Sequence, residues 1–390
     1  MDTAALKGSW ASVAAAGDDV PLYFYSHLFL SHPDVRPMFP IQMSGQRDKL
    51  VTALGAVVSN VDEIDSVVPL LEQLGRDHRR FSVVTEHYSA VGASLLATLK
   101  KFLGPSWTPD LAATWAEAYG LVAKVMVAAA EQHEEVAPAS WEADVVSVER
   151  RSVEVAVVEV APREEFPYRA GQSVAVEVPQ RPRVWRYFSP ANAPQSSGHL
   201  QFHIQPIAGG LVSTAVVRRL SEGDTLRLGA PVGEQLTLPE DGELPDLLMV
   251  AGGTGLAPLR AVLEQIDRGW EATGRAPWVH LFHGSRMPWN LYDNEHLSRL
   301  ARKPWFAYTP VVSDDPTYHG ARGLVGAVAA KAENWSGRTA MVCGSPGMVR
   351  HAIHELEAVG LPAASIRREQ FDFQGAVSPK QELADALETR

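Results

Sequence analysis

The chain has 390 residues, 46% of them hydrophobic and 21% charged. That ordinary globular balance excludes a disordered or fibrous chain and, at roughly 100–200 residues per domain, predicts two to four domains. Thirty-five Lys and Arg against 46 Asp and Glu leave a formal charge of −11, which argues against a nucleic-acid or anionic-membrane partner, and the single Cys343 excludes a disulfide framework or a multi-cysteine metal site.

In chain order, Met1-Asp2-Thr3 lacks the basic and apolar regions of a signal peptide, and no apolar run reaches the roughly 18 residues of a spanning helix. The longest, around Ala118–Ala130, is broken by Lys124. A cytoplasmic chain is expected. Residues 1–137 read as an all-α domain. Apolar residues recur at helical spacing in Leu50, Leu54, Val57, Val58 and Val61, in Leu71, Leu74 and Phe81, and in Trp115, Tyr119, Val122 and Met126. Near Pro138 the helical period stops. Residues 138–241 read as an antiparallel β-barrel, with strands at Ser152–Val160, Ser173–Val178, His199–Ile204 and Thr225–Leu228. Residues 242–375 alternate between strand and helix. Strands are expected at Leu247–Val250, Trp278–Phe282, Phe306–Val312, Thr339–Cys343 and Ser365–Phe371, and helices at Pro258–Ile266, Tyr292–Arg302, Leu324–Ala332 and Met348–Val359. This is the α/β pattern of a parallel sheet covered on both faces. Residues 376–390 read as a flexible tail.

His78 sits on the apolar stripe of Leu71, Leu74 and Phe81. An imidazole there is either a hydrogen-bonded core histidine or a metal ligand. Ahead of it run Tyr23-Phe24-Tyr25-Ser26-His27-Leu28-Phe29, then His32-Pro33-Asp34 and Arg36-Pro37-Met38-Phe39, with Gln46 before Leu50. A helical domain of this length with this arrangement resembles a globin. With the two domains that follow, the whole chain resembles a divergent flavohemoglobin.

The resemblance implies that His78 ligates haem b iron, that Phe39 packs on the haem, and that Tyr25, Gln46 and Leu50 take the distal positions. There a phenol and an amide donate to bound oxygen, and Leu50 limits solvent. It also implies a proximal tyrosine and glutamate bonded to each other and to the imidazole. Tyr88 occupies the tyrosine position, but the glutamate position falls on Ala130, with Glu131 one residue along and so turned about 100° away. Asp77 replaces the lysine common before the proximal histidine.

In the barrel, Arg186-Tyr187-Phe188-Ser189 offers a cation for a pyrophosphate, an aromatic wall and a hydroxyl for a flavin edge. Gly209-Gly210-Leu211-Val212-Ser213-Thr214 offers close backbone approach to phosphates through Gly210 and Val212, and a helix start capped by Ser213. With Tyr168-Arg169-Ala170-Gly171-Gln172 upstream, these resemble the ferredoxin-reductase-like FAD barrel, where Phe188 stands in place of the usual tyrosine. Ala251-Gly252-Gly253-Thr254-Gly255-Leu256-Ala257-Pro258 joins a strand to a helix. Such a turn lets a dinucleotide pyrophosphate approach Gly253, Thr254 and Gly255. Together with Cys343-Gly344-Ser345-Pro346-Gly347-Met348 it resembles the family's nicotinamide site, with Cys343 and Gly344 near the transferring carbon. Arg286 meets either an adenosine 2′-phosphate or solvent. The resemblance places Phe371 against the flavin ring, with Glu369 nearby.

The expected activity is that of a nitric oxide dioxygenase. Electrons pass from NADH or NADPH through FAD to haem, and nitric oxide and oxygen become nitrate. The expected partners are small molecules, with no nucleic acid, no membrane span and a monomeric chain. Two other readings stay open. One is an oxidoreductase drawing on another donor, such as a hydroxy acid. The other is an oxygen-binding or sensing globin with its own reductase.

Overall fold

A computed structural model describes residues 2–152, 154–207, 209–240 and 244–369. The chain divides into two compact units, one ending at Ser140 and one beginning at Trp141. Phe371 and the expected tail at 376–390 lie outside the described residues.

The first unit is helical: α1 (Thr3–Ala14), α2 (Asp19–Ser31), α3 (Ser44–Ser59), α4 (Ile64–His78), α5 (Thr85–Leu103) and α6 (Pro109–Glu134). Local chemistry sets the ends. The Asp2 carboxylate accepts from the Ala5 N–H at 2.9 Å to start α1, and Thr108 caps α6 with Pro109 in its first turn. One core joins Leu6, Val13, Phe24, Leu28, Leu99 and Trp115, and a second joins Val67 and Leu71 of α4 to Met126 of α6. Helices α4 and α6 cross closely at Gly75, where a Cβ would lie 2.2 Å from the Met126 carbonyl oxygen. By length and composition α6 passes as a membrane-crossing helix, which the sequence reading did not anticipate. Its Trp115, Met126 and Ala129 are buried within the helical unit, and the Trp115 indole donates to the Ser9 hydroxyl at 3.0 Å.

The second unit begins with β1 (Trp141–Arg150), β2 (Ala156–Pro162), β3 (Ser173–Glu177), β4 (Arg186–Phe188), β5 (Leu200–Ile204), α7 (Leu211–Arg219) and β6 (Thr225–Val232). The sheet order is β4-β3-β6-β1-β2-β5, all antiparallel. A Pro190–Phe202 bridge brings the chain just after β4 against β5. The expected strand at Ser152–Val160 starts later. The Ser152 hydroxyl accepts from the Glu154 and Val155 N–H groups, which makes a turn and delays β2 to Ala156.

The parallel sheet follows: β7 (Leu247–Gly252), α8 (Leu256–Thr273), β8 (Val279–Ser285), α9 (Asn294–Leu300), β9 (Phe306–Val312), β10 (Ala321–Arg322), α10 (Val325–Ala332), β11 (Thr339–Cys343), α11 (Pro346–Ala358) and β12 (Ile366–Arg368), in the order β10-β9-β8-β7-β11-β12. One buried cluster packs α8 and α9 on one face and another packs α10 and α11 on the other. Helix α9 is shorter than the expected Tyr292–Arg302 because Tyr292 and Asp293 make side-chain contacts before it begins. The last strand ends at Arg368, short of the expected Phe371. Because β7 is flanked by β8 on one side and β11 on the other, the crevice for a ligand lies where these strands end.

Candidate functional site

In the helical unit, α4 delivers His78 as its last residue. Its Nδ1 donates to the Leu74 carbonyl at 2.6 Å. That bond fixes the tautomer and leaves Nε2 with a lone pair and, among the described residues, no hydrogen-bond partner. Burial lowers the imidazole pKa, so the ring is neutral, as a metal ligand must be. The other candidates of the helical unit lie on or near α2 and α3. Tyr25 is buried on α2, and its ring meets Phe39 at 5.6 Å and Phe29 at 5.7 Å. The Gln46 amide donates to the Tyr25 hydroxyl at 3.3 Å, and that hydroxyl donates to the Gln46 carbonyl at 3.4 Å. Burial pushes the Tyr25 phenol up, which keeps it a proton donor. Leu50 is half-buried on α3 beside Val51 and Leu54, and lines a small apolar cavity with Phe24 and Leu99.

The proximal partners do not assemble. The Tyr88 hydroxyl is buried with no hydrogen-bond partner among the described residues, so the bond to the imidazole that the resemblance implies is not made. Glu131 is exposed and Ala130 half-buried. Asp77, next to the histidine, is held by Gln73 at 3.1 Å and by buried Arg80 at 3.3 Å. The acceptor for His78 is therefore the backbone carbonyl of Leu74 alone among the described residues. An aromatic-rich apolar wall, one neutral imidazole with a free nitrogen and a distal phenol–amide pair fit a haem.

In the second unit, a polar cluster joins the barrel to the parallel sheet. The Glu369 carboxyl takes the Ser173 and Ser189 hydroxyls on one oxygen, each at 2.8 Å, and the Cys343 thiol on the other at 2.7 Å. The two hydroxyls also touch each other at 2.7 Å. Burial pushes the Glu369 carboxyl up, and burial also pushes the Cys343 thiol up. The thiol is thus held as a donor and the glutamate is poised to keep a proton. Ser173 is not among the residues the sequence singled out. Its only signal is its place directly after Gly171-Gln172.

Strand pairing sets Phe188 opposite Val174 and Arg186 opposite Val176. Arg186 is exposed and donates to the Trp185 carbonyl at 2.9 Å, its one side-chain hydrogen bond among the described residues. At the start of α7, Gly210 is pressed against Ser213, whose hydroxyl accepts from the Ile207 N–H at 3.2 Å. The Val212 side chain is fully buried, so only its backbone is available to a ligand. Together, an exposed cation, a glycine-lined helix start and a hydroxyl–carboxyl cluster fit a flavin.

The glycine turn between β7 and α8 is tight. Gly253 has φ +53, and a Cβ at Gly255 would lie 2.4 Å from the Cys343 carbonyl oxygen. Thus Gly255 brings Cys343 and Gly344 against the turn. Thr254 is half-buried, while Pro258 is buried in the first turn of α8, where a missing N–H costs nothing. At the end of β8, Arg286 is exposed.

Residues 22–126 match the globin family model, 142–236 the oxidoreductase FAD-binding domain and 249–354 the oxidoreductase NAD-binding domain. The chain has the architecture of the flavohemoglobins. Among curated relatives, the flavohemoprotein of Bacillus subtilis is 27% identical over 262 residues, covering 64% of this chain and 65% of that protein, just under two thirds of its length. That of Bordetella parapertussis is 29% identical over 306 residues, covering 74% and 75%, and that of Halalkalibacterium halodurans 28% over 335 residues, covering 80% of each. Among solved structures, the flavohemoglobin of Malassezia yamatoensis with bound FAD and heme superposes with a TM-score of 0.75 at 18% identity, over 94% of this chain and 97% of that one. The FAD/NAD-binding domain of nitric oxide dioxygenase from Vibrio cholerae superposes on the second unit's fold with a TM-score of 0.51 at 17% identity, over 59% and 98%. In flavohemoglobin architecture His78, the Ser189–Glu369–Cys343 cluster and the Gly253–Gly255 turn each fall within or just beyond the matching domain.

Proposed function

We propose that the chain is a nitric oxide dioxygenase that holds haem b and FAD and takes electrons from NADH or NADPH. The observation that carries this reading is His78: a globin-helix imidazole with Nδ1 tied to Leu74 and Nε2 free, on the same chain as a flavin-type hydroxyl–carboxyl cluster and a dinucleotide turn. When bound, these groups supply hydride transfer, its division into single electrons, and the iron redox chemistry by which nitric oxide and oxygen become nitrate.

The chain's own residues do the rest. His78 is the candidate iron ligand through Nε2. The Tyr25 hydroxyl, kept protonated by burial and accepting from the Gln46 amide, would turn its proton from the Gln46 carbonyl to the distal ligand. Phe39 and Leu50 keep that side apolar. Arg186 and the α7 start at Gly210 hold the flavin phosphates. Three contacts link Ser173, Ser189 and one Glu369 oxygen, but two hydroxyls supply only two protons. A protonated Glu369 carboxyl completes the set and gives the flavin edge a proton relay through Ser189. Cys343 and Gly344 border the nicotinamide face. Arg286 is exposed at the end of β8, and the Asp314 N–H donates to its carbonyl at 2.9 Å, so this edge carries both a cation for a 2′-phosphate and a carboxylate for a ribose hydroxyl.

A second reading has one observation in its favour. No carboxylate reaches His78 among the described residues, which suits a globin that holds oxygen while its reductase keeps the iron ferrous. Anaerobic addition of NADPH or NADH to protein with measured haem and flavin tests the shared electron path. Bleaching of the flavin followed by a ferrous haem spectrum is expected, and His78→Ala should lose the haem band while keeping flavin bleaching. A chain that binds flavin and no haem contradicts both readings.

A further inference from the structure

The glycine turn has a buried supporter that neither the motifs nor the relay account for. His283, on β8 directly opposite Ala251 of β7, is fully buried. Its Nε2 donates to the Gly253 carbonyl at 3.0 Å, and its Nδ1 is buried without a partner among the described residues. A buried nitrogen left unsatisfied weakens folding, so an apolar ring would pack this position better. The compensation is the bond to Gly253.

That bond has a directional consequence. A trans peptide points its carbonyl and its N–H to opposite sides. The Gly253 carbonyl accepts from the Leu256 N–H within the turn and from His283 beneath it, and holding it inward turns the Thr254 N–H to the opposite side, toward where a pyrophosphate would lie. Gly253 tolerates the result because its φ of +53 is free to a glycine. The imidazole is itself held in place. Its ring stands edge-on to Tyr292 at 5.9 Å, the Tyr292 hydroxyl donates to His203 Nδ1 at 3.0 Å, and His203 Nε2 donates to the Gln201 side chain at 3.0 Å. His203 belongs to β5, so the row runs from the dinucleotide turn to the barrel within the second unit.

We propose that His283 is a positioning residue for the nicotinamide dinucleotide, pinning the Gly253 peptide so that the turn presents its amide to the pyrophosphate. This rests on the reading above that the chain uses such a dinucleotide. The test is rapid-mixing flavin reduction by NADPH and NADH in the full chain, which separates apparent dinucleotide affinity from limiting rate. His283→Gln keeps a donor near the Nε2 position, whereas His283→Asn is too short to reach Gly253 and His283→Leu has none. Asn and Leu should weaken apparent affinity by roughly tenfold, the size of one hydrogen bond, with the limiting rate changed by less than about twofold. Gln should recover most of the affinity. Gln and Asn are similar enough in polarity that comparing them survives a Leu variant that fails to fold. Equal affinities for folded Gln and Asn variants, or a loss confined to the limiting rate, would overturn the proposal. A parent chain that binds flavin but no dinucleotide would overturn the nicotinamide reading along with it.

Discussion

Burial decides what the key side chains do. The Tyr25 phenol stays protonated and sits in an aromatic wall of Phe29 and Phe39 with one polar neighbour, Gln46. Removing its hydroxyl should cost about one buried hydrogen bond to bound oxygen, so Tyr25→Phe should raise the oxygen dissociation rate by about tenfold. Stopped-flow displacement by carbon monoxide measures it, and an unchanged rate removes Tyr25 from that role. Glu369 gives a pH prediction. Burial raises its pKa, so the protonated form persists above the ordinary carboxyl range and is lost as pH rises through the raised value. Flavin reduction should fall along that limb, and Glu369→Gln should flatten it in a pH profile. Helical spacing placed His78 on an apolar stripe, but its reading as an iron ligand, and those of Tyr25 and Gln46 as distal donors, came from the resemblance to globins and not from spacing. Ser173 was not legible, because its partner lies 196 residues away and no local pattern reports such a pairing. The Tyr88 hydroxyl, unpartnered among the described residues, was equally hidden, since the position predicts the residue but not the bond.

Elements were read more easily than their ends. Helical periodicity marked α3, α4 and α6, and the strand–helix alternation after Leu247 marked every later element but β10, because burial of one face imposes a period; α1, α5 and β1 were not singled out. Ends depend on caps and turns, as the Ser152 hydroxyl shows where it holds the chain in a turn before β2. Close approach between elements left its trace only as glycine. Gly75→Ala would place a methyl against the Met126 backbone where α4 and α6 cross, and should destabilise the helical unit by about 2 kcal/mol. Thermal melting followed by haem release checks this. Strand β8 supplies a second case. His283 is held at a pKa of about 4, against 6.5 for a free imidazole, chiefly by burial and despite its Gly253 bond and the nearby Asp293 carboxylate. Between those values the unfolded chain binds the extra proton, so stability falls as pH drops from 6.5 towards 4, by about 3 kcal/mol at most. Denaturant midpoints of the parent should fall more steeply over that window than those of His283→Gln, and parallel slopes would contradict the assignment.

At the scale of the whole molecule, composition limited the class and two changes of pattern separated helical, barrel and alternating segments. The sequence alone could not weigh the proximal side, where function turns on whether one carboxylate reaches His78. In the structure Glu131 is exposed and Asp77 is committed to Arg80 and Gln73. Electron donation from the proximal imidazole then rests on a backbone carbonyl, which is weaker than a carboxylate acceptor. Ala130→Glu should therefore raise the iron–histidine stretching frequency of the ferrous protein in resonance Raman spectra, and an unmoved band would show that the new carboxylate does not reach the ring. The central claim is tested most directly by supplying nitric oxide in air to protein of known haem and flavin content with NADPH or NADH, while following nitrate and dinucleotide together. The account predicts rapid catalytic loss of nitric oxide, with about one dinucleotide oxidised per two nitrates, since a hydride carries two electrons and the iron takes one at a time. Dinucleotide oxidation without nitrate, in protein holding both prosthetic groups, would contradict it.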